Sequence, residues 1–79
     1  MFVKMPVLDH NGKLMDEPVY VNPDRVASFQ SSQLSFSNAE EAVFATSIFM
    51  TDGGHPVYTP LTALQVKRVL GGAPLKDVV

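Results

Sequence analysis

The sequence predicts an α+β domain, a small antiparallel sheet of four to five strands with one C-terminal helix packed on one face. Three observations carry that expectation. Apolar runs of strand length are separated by Asn-Gly, Asn-Pro and Asp-Gly-Gly turn signals. A helical pattern bounded by both a start and a stop signal occurs between Thr62 and Gly71. Hydrophobic residues make up 46% of the chain and charged ones only 18%, so burial can offset the entropy of ordering.

The first element runs from Phe2 to Leu8, a mostly apolar strand with Pro6 inside it. Proline has no N–H to give to a ladder, so this strand is expected at a sheet edge or bulged. Asn11-Gly12 then suits a tight type I′ hairpin turn, with Asp16 and Glu17 able to widen the loop before a return strand centred on Val19-Tyr20-Val21. Asn22-Pro23-Asp24 marks a sharp bend. A third strand is expected over Val26–Ser31, and the polar stretch from Ser31 to Glu41 reads as a loop, in which Ser37 and Glu40 could cap one helical turn starting at Asn38.

The fourth strand, Ala42 to Thr51, and a short fifth, Pro56 to Tyr58, flank the Asp52-Gly53-Gly54 turn. Thr62 and Gln65 have capping-box spacing, and Gly71 stands where a left-handed stop is expected. At 100° per residue Ala63, Val66, Val69 and Leu70 share one face, which leaves Leu61 and Leu64 toward the polar side. At 79 residues one core is expected, with a single domain over residues 1–72 and a C-terminal tail over residues 73–79. There is no cysteine to staple so small a core, which points to oligomerisation or docking.

Val21-Asn22-Pro23, the apolar strand, Asp52-Gly53, Val57 and Thr62-x-x-Gln65-Val66-x-x-Val69 together resemble the small flagellar proteins of the FlbD type and related phage and bacterial small proteins. The resemblance covers roughly Leu8 to Leu70 and departs from the pattern in the extended Ser31–Glu41 loop, in Gly-Gly-His and in Gln65, where an acidic residue is usual. It implies an accessory or binding role without a catalytic site. No functional residue carries over, because the matching positions are structural.

Composition excludes several chemistries. The net charge is −2 and the only adjacent basic pair is Lys67-Arg68, too little for a phosphate-neutralising surface on a duplex. His10 and His55 each sit beside a hairpin turn near an aspartate, Asp9 and Asp52, but without ligand spacing, and no metal or cofactor is expected. No serine lies in a G-x-S-x-G elbow and no glycine-rich phosphate loop precedes a helix, so no enzymatic activity is expected. Pro6 and Asp9 interrupt the first apolar run before it could form a signal-peptide core, and the Val43–Met50 tract falls short of a membrane helix. A cytoplasmic location is the expectation.

The candidate partner-binding residues are Leu34, Phe36, Tyr58, Leu61 and Leu64. Leu34 and Phe36 are isolated apolar side chains in a polar stretch, either a flap completing the core or anchors for a partner. Leu61 and Leu64 fall outside the core face of the helix. Asn22, Asp24, Arg25, Asp52 and His55 are expected at one sheet end, as a surface ion-pair cluster or the rim of an interaction surface. The functional expectation is a non-enzymatic protein-binding module, a bacterial or phage accessory or regulatory protein that docks on a larger protein or self-associates, including as a phage inhibitor of host machinery. Pro6 blunts its own strand as a pairing edge, which favours contact through the loop and helix. The alternative is a small nucleic-acid-linked regulator using Tyr20, Phe29, Lys67 and Arg68.

Overall fold

The computed structural model describes residues 2–37 and 40–78. Among these residues, five strands form two antiparallel sheets, one of two strands and one of three, and a C-terminal helix completes the α+β fold. Strands β1 (Val3–Met5) and β2 (Val19–Val21) pair with Val3 opposite Val21 and Met5 opposite Val19. The first strand is shorter than its apolar run because Pro6 interrupts the ladder; pairing resumes as a single bridge between Leu8 and Leu14. Leu8 N–H also donates to the Tyr58 carbonyl at 2.8 Å, which ties this hairpin to the second sheet.

The hairpin tip is not the two-residue Asn11-Gly12 turn. Gly12 N–H bonds the Asp9 carbonyl at 3.0 Å, Asp9 N–H bonds the Lys13 carbonyl at 2.8 Å, and Gly12 takes φ +80 at the end of the turn. The Asp9 carboxylate shifts the turn one residue earlier by accepting from the N–H groups of Asn11 and Lys13. At Pro23–Arg25 the chain makes one 3-10 turn, capped by the Asn22 side chain on Asp24 N–H.

Strands β3 (Val26–Leu34), β4 (Val43–Met50) and β5 (Val57–Thr59) form the second sheet in that order. β3 extends three residues beyond the expected Ser31, because Ser28 to Leu34 pair in unbroken register with Phe49 to Val43. Ser31–Leu34 is therefore strand rather than loop: the ladder and a bonded serine hydroxyl outweigh the weak local strand preference. The helical turn expected at Asn38 lies outside the described residues.

Cross-strand partners share a face, so the register sorts the sheet into two. Phe29, Ile48 and Val57 form one row facing the helix, and Ser31, Thr46 and Thr59 form the next. The core joins Ile48 to Met5 and Val21 of the first sheet and to Leu61, Val66 and Val69. Thr46 is fully buried in this apolar setting and is satisfied by a relay. Its Oγ1 donates to the Leu61 carbonyl at 2.6 Å and lies 2.8 Å from Ser31 Oγ, which in turn accepts from Ala63 N–H at 2.9 Å. A hydroxyl has one proton, so Ser31 must donate to Thr46.

Helix α1 (Ala63–Leu70) starts on that relay. Thr62 and Gln65 form a capping box, with Gln65 N–H on the Thr62 hydroxyl and Thr62 N–H on the Gln65 amide oxygen. Its stop is one residue later than expected. Gly71 has φ −81, whereas Gly72 has φ +101, and Ala73 N–H returns to the Arg68 carbonyl while Gly72 N–H returns to that of Val69. This is a Schellman ending with Gly72 as its left-handed residue. The tail then docks: Leu75 and Val78 pack on the core, and Gln65 Nε2 donates to the Val78 carbonyl at 3.0 Å.

Replacing Thr46 by Val strands the Ser31 hydroxyl and the Leu61 carbonyl and is expected to cost about 1–3 kcal/mol in chemical denaturation. A cycle with Ser31→Ala should give a coupling of about 0.5–3 kcal/mol; strict additivity would contradict the relay. Gly72→Ala is expected to lower stability by about 1–2 kcal/mol, because an L residue is disfavoured at φ +101. Gly71→Ala should stay within about 0.5 kcal/mol, and the reverse order in thermal melts would move the helix stop back to Gly71.

Candidate functional site

The second face of the sheet carries the candidate site. Gln30, Ser47 and Tyr58 form one row across it, Ser32 and Ala45 the next, and Leu34 and Val43 the last. Ala45 and Ser47 are buried although they point away from the helix, so this face is covered as well. Phe36 supplies part of the cover. Its ring meets Tyr58 edge-on, with centroids 5.4 Å apart and an interplanar angle of 87°, a geometry worth about 0.5–1.5 kcal/mol beyond burial.

Phe36 also lies against the first hairpin. A Cβ on Gly12 would stand 2.9 Å from Phe36 Cδ2, so the positive φ and the missing side chain at Gly12 both serve this approach. The Phe36 segment thus folds back over the open face as a flap, one of the two roles its sequence allowed. A cavity of about 240 Å³ remains beside it, lined by His10, Leu34, Ser35, Phe36, Ser37 and Tyr58. That is smaller than the roughly 300–1,000 Å³ of small-molecule sites, and suits one inserted side chain better than a cofactor.

Of the candidate residues, then, Leu34, Phe36 and Tyr58 come together. Leu61 does not join them and is no surface anchor. It is only 3% exposed and belongs to the core, because it precedes the Thr62 cap and the helical angle used to place it does not apply there. Leu64 is 61% exposed on the outer side of the first helical turn, as its angle implies. Sequence reasoning missed Phe44, 49% exposed beside Gln33, and His10 in the cavity wall. Strand parity could have isolated Phe44, but only once the end of the helix-covered row at Thr46 was known.

Leu34 ends β3 opposite Val43, and α1 begins three residues back at Ser31. The cavity and Leu64 therefore lie toward one end of the sheet, on opposite faces. At the other end Thr51 N–H bonds the Arg25 carbonyl at 2.7 Å, so Asp24 and Arg25 do share an end with Asp52. Phe29 lies in the helix-facing row, partly buried against the core, and Tyr20 is exposed opposite Lys4.

Asp9, in the first hairpin turn, carries a carboxyl whose setting changes its titration. The Lys13 backbone N–H holds its carboxyl below the usual aspartate value; partial desolvation opposes this, and the Asn11 N–H and the positive charges of His10 and Lys13 reinforce it. Among the described residues no three His, Asp or Glu side chains are grouped to hold a metal ion, and no helix is long and apolar enough to cross a membrane. No family model, curated protein or solved structure matches the chain.

A carboxyl with a lowered folded pKa contributes stability that is present above its unfolded pKa and lost as pH falls through the folded one. The Asn11 and Lys13 amide signals are therefore expected to titrate with a midpoint below the ordinary aspartate value. Asp9→Asn should keep the turn and abolish the titration. A midpoint at or above the ordinary value would contradict the turn geometry.

Proposed function

We propose that this chain is a non-enzymatic, cytoplasmic protein-binding module that acts by docking on another protein, either a larger partner or a second copy of itself. The observation that carries the reading is the Leu34–Phe36–Tyr58 cavity, open at the same sheet end as the exposed side chains of Phe44 and Leu64. The cavity has the size for one apolar side chain, and its lining combines Leu34 and the edge-on Phe36–Tyr58 pair with the polar groups of His10, Ser35 and Ser37. A pocket of mixed apolar and polar lining can receive an anchor residue at a protein interface. The accessory role implied by the likeness to small flagellar and phage proteins points the same way. For the nucleic-acid alternative, Tyr20, Lys67 and Arg68 are exposed, whereas Phe29 packs on the core.

The test is capture on immobilised protein, comparing the parent chain with Leu64→Asp, at an exposed position outside the core cluster, and with Phe36→Ala, which removes a side chain from the cavity lining. A partner held by the parent should be lost at least about tenfold in both variants, since one buried apolar side chain contributes about 1.5–3 kcal/mol. Circular dichroism must show both variants folded. Equal capture by parent and variants would overturn the reading.

A further inference from the structure

We propose that the outer edge of β3 pairs antiparallel with the same edge of a second copy of this chain about a two-fold axis, so that the two three-stranded sheets become one continuous sheet. This gives the self-association part of the protein-binding reading its own surface, separate from the cavity.

Unpaired strand edges invite pairing, and native chains blunt them with short strands, proline, charge or cover. The other edges of this molecule are blunted in those ways. β1 and β2 are three residues long, β1 carries Lys4 and is followed by Pro6, and β5 is three residues long between Pro56 and Pro60 and already accepts Leu8 N–H. β3 is the exception. It runs nine residues, has β4 on one side only, and contains neither proline nor a charged residue from Val26 to Leu34. Its one irregularity, between Val26 and Ser28, bends only its first residues.

The same features select a second copy as the occupant. Edge recognition of a foreign peptide draws its specificity from pockets for alternate side chains, yet the exposed residues of β3 are Ala27, Ser28, Gln30 and Gln33, which are small or polar. A two-fold pairing apposes the residue at the axis with its own copy, so a charge there would meet its like; an uncharged residue at the centre of the strand carries no such penalty. With the axis at Gln30, the midpoint of β3, Gln30 faces Gln30 and Ser28 faces Ser32. Amide and hydroxyl pairs of that kind bond across neighbouring strands.

The test is sedimentation equilibrium on the full chain from micromolar to millimolar concentration, with Gln30→Lys and Gln30→Glu alone and mixed. Gln30 is exposed and faces away from the helix, so both variants should fold, which circular dichroism checks. The expected result is a dimer of the parent chain, weakened by about tenfold or more in each variant and restored in the equimolar mixture, where opposite charges meet. A parent chain that stays monomeric throughout, a dimer indifferent to both variants, or a mixture that fails to recover would each overturn it. Because Gln30 lies outside the cavity lining and the Leu64 surface, failure here leaves the capture experiment to stand or fall separately.

Discussion

Two hydroxyl groups connect the helix to the sheet, and the position of almost everything else follows from them. Ser31 on β3 accepts from the first helical N–H and donates its hydroxyl to Thr46 on β4, and Thr46 donates to the carbonyl of Leu61 just ahead of the cap. A helix start buried against a sheet leaves orphan N–H groups, and here a strand side chain satisfies one while Thr62 satisfies another. The arrangement is directional, since each oxygen donates or accepts in only one consistent way. It fixes where along β3 and β4 the helix begins, and thereby which apolar side chains of α1 reach Ile48.

From that anchor the two faces of the sheet acquire different covers. The helix, the docked tail and the first sheet close over the Ile48 row, with Val66 and Val69 fully committed to the core. On the opposite face the cover is the Phe36 segment, held between Tyr58 and Gly12. The first hairpin therefore contributes twice, through Met5 to the core and through its turn to the flap. A cavity persists beside Phe36 because a single edge-on aromatic contact spans that face without filling it.

Much of this was legible in the residues. The Thr62–Gln65 box, the Asn22 bend and the strands around Val19–Val21 and Val43–Met50 appear where local chemistry puts them. Glycine and capping rules act over a few residues and so can be read along the chain. The errors came from bonds made at a distance or from a neighbour one place away. Asp9 moved the first turn by claiming two N–H groups, Gly72 took the left-handed position from Gly71, and pairing with β4 drew Ser32–Leu34 out of the expected loop.

For the candidate site the division is sharper. Leu34, Phe36 and Tyr58 were identifiable as apolar groups without an assigned place, yet that they share one cavity depends on a register linking residues far apart in sequence. Leu61 and Leu64 looked alike on a helical projection and ended at 3% and 61% exposure, because one precedes the cap and the other follows it. The sequence by itself determined the fold class, the helix start, and the turn positions and helix stop to within a residue, all set by short-range backbone geometry. Only the tertiary structure decided which hydroxyls bear the helix, which apolar residues remain outside, and that β3 keeps an unblunted edge, since each of these depends on what packs or pairs across the fold.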